Sequence, residues 1–104
     1  MVSATGNVRG AVVSRAPTIY NVISPATPNT EFSQALSLNT KQFIIRTRGN
    51  GTLKIAFNNG ESGTNYVTLQ KHAVLSQGDL DLTGITLYMQ CDKISETIEI
   101  LEWT

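Results

Sequence analysis

Short segments of alternating hydrophobicity recur roughly every 8–12 residues along this chain, and turn-forming residues separate them. That cadence predicts an all-β protein: a single antiparallel β-sandwich, jelly-roll-like in type, with about seven to nine strands. The alternation is cleanest in Leu53–Phe57 and Ile85–Cys91, where every second residue is apolar. Helix has one rival segment, Glu96–Trp103. Its Ile and Thr content favours strand, and it is too short to stand as a helix without tertiary support.

Residues 1–17 are rich in Ser, Ala, Gly, Val and Arg, and they carry the apolar patch Ala11-Val12-Val13. They read either as a first edge strand or as an arm that a partner orders; residues 18–104 form the sandwich domain. Thr18–Ile23 (TIYNVI) is strand-like, with Ile19 and Ile23 read as lying on opposite sides of an imperfect pattern. Ser24–Thr30 is a loop, because Pro25 and Pro28 lack ladder donors and restrict the residues before them. In Glu31–Leu38 the alternation puts Phe32, Gln34, Leu36 and Leu38 on one face.

Lys41–Phe57 (KQFIIRTRGNGTLKIAF) reads as the central β-hairpin. Gly49-Asn50-Gly51 supplies residues that tolerate the positive φ of a tight turn. Phe43, Ile45, Leu53, Ile55 and Phe57 face inward, and Arg46, Arg48 and Lys54 share the outer face; Ile44 implies cover on both faces of the first arm. Asn58–Asn65 is a long turn-rich loop, and Tyr66–Gln70 is a strand with Val67 and Leu69 on one face. His72–Leu82 offers only apolar scraps. Ile85, Leu87, Met89 and Cys91 point inward on the next strand. In the final strand Ile98 and Ile100 share one face, and Leu101 and Trp103 the other.

Eight basic and eight acidic residues cancel, so no general field draws the chain to nucleic acid or to an anionic membrane. No apolar run approaches the roughly 20 residues of a membrane span, and the apolar core of a secretory signal is absent, so synthesis in a cytosol is expected. Cys91 is alone, which excludes an internal disulfide and leaves a small hydrophobe on the apolar face of its strand.

Catalytic constellations are missing. His72 is the lone histidine, so a multi-histidine metal site is excluded and a triad lacks company; it reads as a loop or interface residue. Asp79, Asp81, Asp92, Glu96, Glu99 and Glu102 invite a hydrolase reading, which needs two acids flanking a cleft. Asp79 and Asp81 alone supply too few oxygens for calcium, and a solvated turn is the plainer reading. The sequence therefore predicts no enzyme, cofactor or metal. Asn50-Gly51-Thr52 matches a glycosylation acceptor, which matters only on a secreted eukaryotic route. Ser62-Gly63-Thr64 sits in the long loop as a possible partner contact. Aromatic platforms bind sugars, which makes Tyr20, Tyr66, Tyr88 and Trp103 candidates and marks Tyr66, Tyr88 and Trp103 as partner or glycan contacts. Leftover apolar surface tends to be contact surface, which marks Leu101 and Trp103, with Val12 and Val13 of the arm, as a subunit interface.

A Pro-rich loop precedes NTEFSQALSLNTKQFIIRTRGNGTLKIAF; SGTNYVTL and GITLYMQ follow, and then IEILEWT. Within these, Lys41, Phe43, Ile45 and Arg48 match a K-x-F-x-I-x-x-R strand, and Gly63, Tyr66, Thr68 and Leu69 match G-x-x-Y-x-T-L. The pattern resembles small β-sandwich virion proteins of tailed bacteriophages, either capsid decoration (cement) proteins or head-fibre and tail-associated domains. It covers Glu31–Thr104, about two-thirds of the chain, and Leu38-Asn39 stands where a Leu-Pro belongs. The resemblance implies a non-enzymatic virion structural protein that binds the major capsid protein or other virion subunits. It further implies a homotrimer whose N-terminal arm clamps a neighbour, made in the bacterial host cytoplasm and located in the virion. No functional residue transfers, because the motifs are structural. The rival reading is a carbohydrate-binding or receptor-binding adhesin module of a phage tail or fibre.

Overall fold

The computed structural model describes residues 16–78, 80 and 84–104, and these form eight strands and no helix. They are β1 (Thr18–Ile23), β2 (Phe32–Ala35), β3 (Gln42–Thr47), β4 (Leu53–Ala56), β5 (Val67–Leu69), β6 (Leu75–Gln77), β7 (Thr86–Cys91) and β8 (Thr97–Trp103). Two antiparallel four-stranded sheets face each other, ordered β1-β8-β3-β6 (sheet A) and β2-β7-β4-β5 (sheet B). The all-β sandwich expected from the strand cadence is therefore the fold. The pairing is nested: β1 lies beside β8, β2 beside β7, β3 beside β6 and β4 beside β5.

Period-two alternation decides which side chains meet between the sheets. Phe43, Ile45, Ile98 and Ile100 of sheet A face Leu53, Ile55, Leu69, Leu87, Met89 and Cys91 of sheet B, all essentially buried. Each large aliphatic side chain so buried contributes roughly 1.5–3 kcal/mol. Burial also pushes the Cys91 thiol up, as befits a packing residue. Phe57, expected inward, and Leu38, expected on the face of Leu36, lie past the ends of β4 and β2 and are exposed, whereas Leu36 is buried.

The central hairpin does not form. β3 pairs with β8 and β6 in sheet A, whereas β4 pairs with β7 and β5 in sheet B. Gly49-Asn50-Gly51 therefore carries the chain from one sheet to the other. None of the three uses positive φ; among the described residues that conformation falls on Asn29, Gly60, His72, Gly84 and Ser95. The glycines serve close approach instead. A Cβ on Gly49 would stand 2.5 Å from Oε2 of Glu96, and one on Gly51 would stand 2.6 Å from Sγ of Cys91. The crossing also separates the basic residues expected on one face. Arg46 and Arg48 bind Glu99 on sheet A, while Lys54 lies over the Tyr66 ring on sheet B, 5.0 Å from its centre.

Two further readings change. Ile19 and Ile23 share the outer face of β1, 62 % and 57 % exposed, since positions four apart in a strand face the same way. β6 emerges inside the stretch that offered only apolar scraps; three residues are too few to show a period.

The sulfur contact at Gly51 gives the fold a direct check. Gly51→Ala should destabilise the protein by about 1–3 kcal/mol in chemical denaturation, because its methyl overlaps Sγ in a packed core. In a Cys91→Ala background the same change should cost markedly less. Equal costs in both backgrounds would mean that the sulfur is not what the methyl meets.

Candidate functional site

β8 is an interior strand of sheet A and alternates strictly, with Ile98, Ile100 and Glu102 inward and Thr97, Glu99, Leu101 and Trp103 outward. The register lines up Ile19, Leu101, Ile44 and Ser76 across the outer face. Trp103 lies two positions along from Leu101, opposite Gln42, and Ile23 lies opposite Thr97. Leu101 and Trp103 thus share the outer face of sheet A, both half-buried, with Ile19 and Ile44 beside Leu101, while Ile23 lies beyond the Asn21–Glu99–Arg46 row. Val12 and Val13 lie outside the described residues. Ile19 and Ile23 escaped the sequence reading only through their misassigned faces.

A polar cluster borders this apolar row. Glu99 accepts from Arg46 Nε at 2.7 Å and from Arg48 Nε at 2.9 Å, and Arg48 also donates to Asn21 Oδ1 at 3.2 Å. The hydrogen bonds from Arg46 and then Arg48 hold the Glu99 carboxyl below its usual range. Both arginines are more than half exposed, so solvent screens the pairs and they add little stability.

The sugar-platform candidates do not converge. Trp103 is on sheet A, whereas Tyr66 and Tyr88 belong to sheet B. There Tyr88 lies opposite Ala56, and Tyr66 precedes Val67, the register partner of Ile55. Ala56 points outward yet is 1 % exposed, which fits cover from the aromatic side chains flanking it. Tyr66 itself is 40 % exposed.

Of the carboxylates that invited a hydrolase reading, Asp92 and Glu96 are tied to backbone and Glu99 to arginine, and Glu31, outside that set, is tied in the same way. Glu31 accepts from Gly60 N–H at 2.9 Å and from Ser62 Oγ at 2.6 Å, clamping the long β4–β5 loop. Ser62 is consequently fully buried and offers nothing to a partner. Glu96 accepts from Gly49 N–H at 2.5 Å, and Asp92 accepts from Thr52 N–H at 2.8 Å. Asp79 and Asp81 lie outside the described residues. His72 sits exposed in a turn at φ 66°. Among the described residues no three His, Cys, Asp or Glu side chains gather as metal ligands.

Glu102 is the acid whose role the sequence hides. It lies in the inward row between Thr18 and Phe43 and is 1 % exposed. Tyr20 Oη donates to it at 2.6 Å, Ser37 donates through N–H at 2.5 Å and through Oγ at 3.1 Å, and the Thr40 hydroxyl donates as well. Burial pushes its carboxyl up, but the donors, led by Thr40 and Tyr20, outweigh that and hold it below the usual range. The same contact raises the Tyr20 phenol. With solvent shut out, this network is structural.

A cleft of about 450 Å³ opens between the edge strands β6 and β5, walled by Phe43, Phe57, Val67, Leu75, Leu80 and Ile85. Among the described residues Gln77 and Thr86 are its polar lining and none of its lining side chains is titratable, so these walls suit apolar groups. No family model, no curated protein and no solved structure matches this chain.

The lowered carboxyls of Glu31, Glu99 and Glu102 set a sign for acid stability. A depressed folded-state value contributes stability that is present above the unfolded value, near 4.3 for Glu, and is lost as pH falls through the folded value. Thermal midpoints should therefore fall as pH drops below about 4. Glu102→Gln should cost about 1–3 kcal/mol at neutral pH, because its amide presents donors to donors, and should flatten that acid limb. A neutral-pH stability unchanged in Glu102→Gln would contradict the buried network.

Proposed function

We propose that the chain is a non-enzymatic structural subunit of a bacteriophage virion, a capsid decoration protein that binds a shell of major capsid protein. The observation that carries the reading is the apolar outer row of sheet A, where Ile19, Leu101 and Ile44 run side by side with Trp103 close by. A surface of this kind suits permanent contact with another protein. Two features support it. The nested pairing of β1 with β8 through to β4 with β5 agrees with a jelly roll, an architecture common in capsid domains. Apart from the buried Glu102, the acids Glu31, Asp92, Glu96 and Glu99 act as loop fasteners or ion-pair partners, which leaves sheet faces as the surfaces for recognition.

A second reading has its own observation. Tyr66 and Tyr88 flank the covered Ala56 on the outer face of sheet B, an aromatic surface of the kind that receives sugar rings. On that reading the chain is a carbohydrate- or receptor-binding module of a phage tail or fibre.

Co-sedimentation separates the two. Shells assembled from the major capsid protein of the same genome should carry the protein down to a saturating ratio. Leu101→Glu should weaken this at least roughly tenfold, by placing a charge in a desolvated contact. Failure to co-sediment, together with a positive glycan array lost on Tyr66→Ala, would replace the first reading by the second.

A further inference from the structure

β1 is a six-residue edge strand of sheet A, and among the described residues no strand pairs with its outer side. Its backbone polarity is fixed by its inner side. Ser24 N–H donates to the Glu96 carbonyl at 2.8 Å, continuing the register in which Ile23 faces Thr97. Backbone groups alternate along a strand, so those of Thr18, Tyr20 and Val22 turn to β8, and those of Ile19, Asn21 and Ile23 turn to the open edge. The side chains of the same three residues stand on the outer face.

Natural edges are blunted with charge, proline or bulges, yet TIYNVI carries no charged residue and has Pro17 and Pro25 only outside its bounds. The sequence is also self-complementary. Ile19 and Ile23 are placed symmetrically about Asn21, so a two-fold axis at Asn21 would set each isoleucine opposite the other's counterpart.

We propose that the chain dimerises through β1, which pairs antiparallel with the β1 of a second copy about a two-fold axis at Asn21. Ile19 then lies opposite the partner's Ile23, Asn21 opposite the partner's Asn21, and Ile23 opposite the partner's Ile19. Each of the three gives one backbone hydrogen bond and accepts one, which satisfies the open edge. The two A sheets become one continuous sheet. The row of Ile44, Leu101 and Ile19 is extended by the partner's Ile23, and the two most exposed isoleucines of the strand are covered. A two-fold contact uses the same patch twice, whereas the three-fold assembly expected from the sequence needs β1 to meet a different surface. The contact does not depend on shell binding, and it can be tested on the purified protein.

The test is sedimentation of the full chain at tens of micromolar, joined to cysteine cross-linking. The wild type should sediment with the mass of two chains. Ile19→Lys/Ile23→Lys, which sets lysines opposite lysines, should return it to one chain at an unchanged thermal midpoint. Asn21→Cys should form a reducible two-chain species under mild oxidation, since residues opposite each other at such a pair have Cα atoms about 5.5 Å apart, within disulfide reach. Cys91 is buried and does not compete. Ser33→Cys, exposed on the edge strand β2, is the collision control and should not cross-link. A one-chain or three-chain wild-type mass overturns the proposal, as does a two-chain mass that survives the double lysine change. Removal of residues 1–15 distinguishes one further outcome: a one-chain protein that becomes two-chain only after that removal has its edge occupied by its own N-terminal segment, which also overturns the proposal.

Discussion

Glu102 puts a carboxylate into the interior of a sandwich with no cation among the described residues to meet it, and the surroundings answer with neutral donors from Tyr20, Ser37 and Thr40. Tyr20 reaches it from β1, Ser37 from the segment after β2, and Thr40 from the approach to β3. Removing any donor leaves charge uncompensated where water cannot enter, so the arrangement holds as a set. One side chain in this way fixes the β1–β8 edge to the β2–β3 connection, which passes from sheet B to sheet A.

The same carboxylate settles a register that hydrophobicity leaves open. β8 carries Ile98 and Ile100 on one face and Leu101 and Trp103 on the other, so a slip by one residue would still bury two large apolar side chains. The slipped strand would carry Glu102 into solvent and strand the Tyr20, Ser37 and Thr40 donors. It would also drive Glu99 inward, away from Arg46 and Arg48. Polar partners therefore choose between two apolar faces of similar size. Leu101 and Trp103 remain outside because Glu102 has donors within.

Much of this fold is legible from alternation alone. Leu53–Ile55 and Leu87–Cys91 face inward as their spacing demands, and the two-faced character of β8 marks Leu101 and Trp103 as surplus to the core. The partner of each strand is not legible, because period two fixes faces and says nothing about neighbours. Gly49-Asn50-Gly51 shows the cost of that silence. Glycine beside asparagine signals positive φ in a hairpin, but here the bare Cα atoms admit the Glu96 carboxylate and the Cys91 sulfur from a distant part of the chain. The Glu102 network is hidden for the same reason. Its place in the inward row with Ile98 and Ile100 is visible in the sequence, but its donors come from distant segments.

The loops repeat the solution found in the core. Glu31 holds the β4–β5 loop by the amides of Gly60 and Ser62, Glu96 holds the crossing by Gly49, and Asp92 holds the start of β4 by Thr52. A carboxylate that accepts from backbone amides is ordered and partly neutralised by those dipoles, which makes it a poor general base. Loops fastened in this manner are also poorly suited to close over a substrate. What the molecule presents outward is consequently its sheets, and they differ. Sheet B shows Ser33, Lys54, Thr68 and Gln90 around its tyrosines, while sheet A shows an apolar row flanked by an Arg46–Glu99–Arg48 cluster. Screened ion pairs of that sort add little to folding, so their value lies in bounding the apolar row on one side. A surface that is apolar along one row and charged along the next can be approached in few orientations, and on sheet A the row leads directly to the open edge of β1.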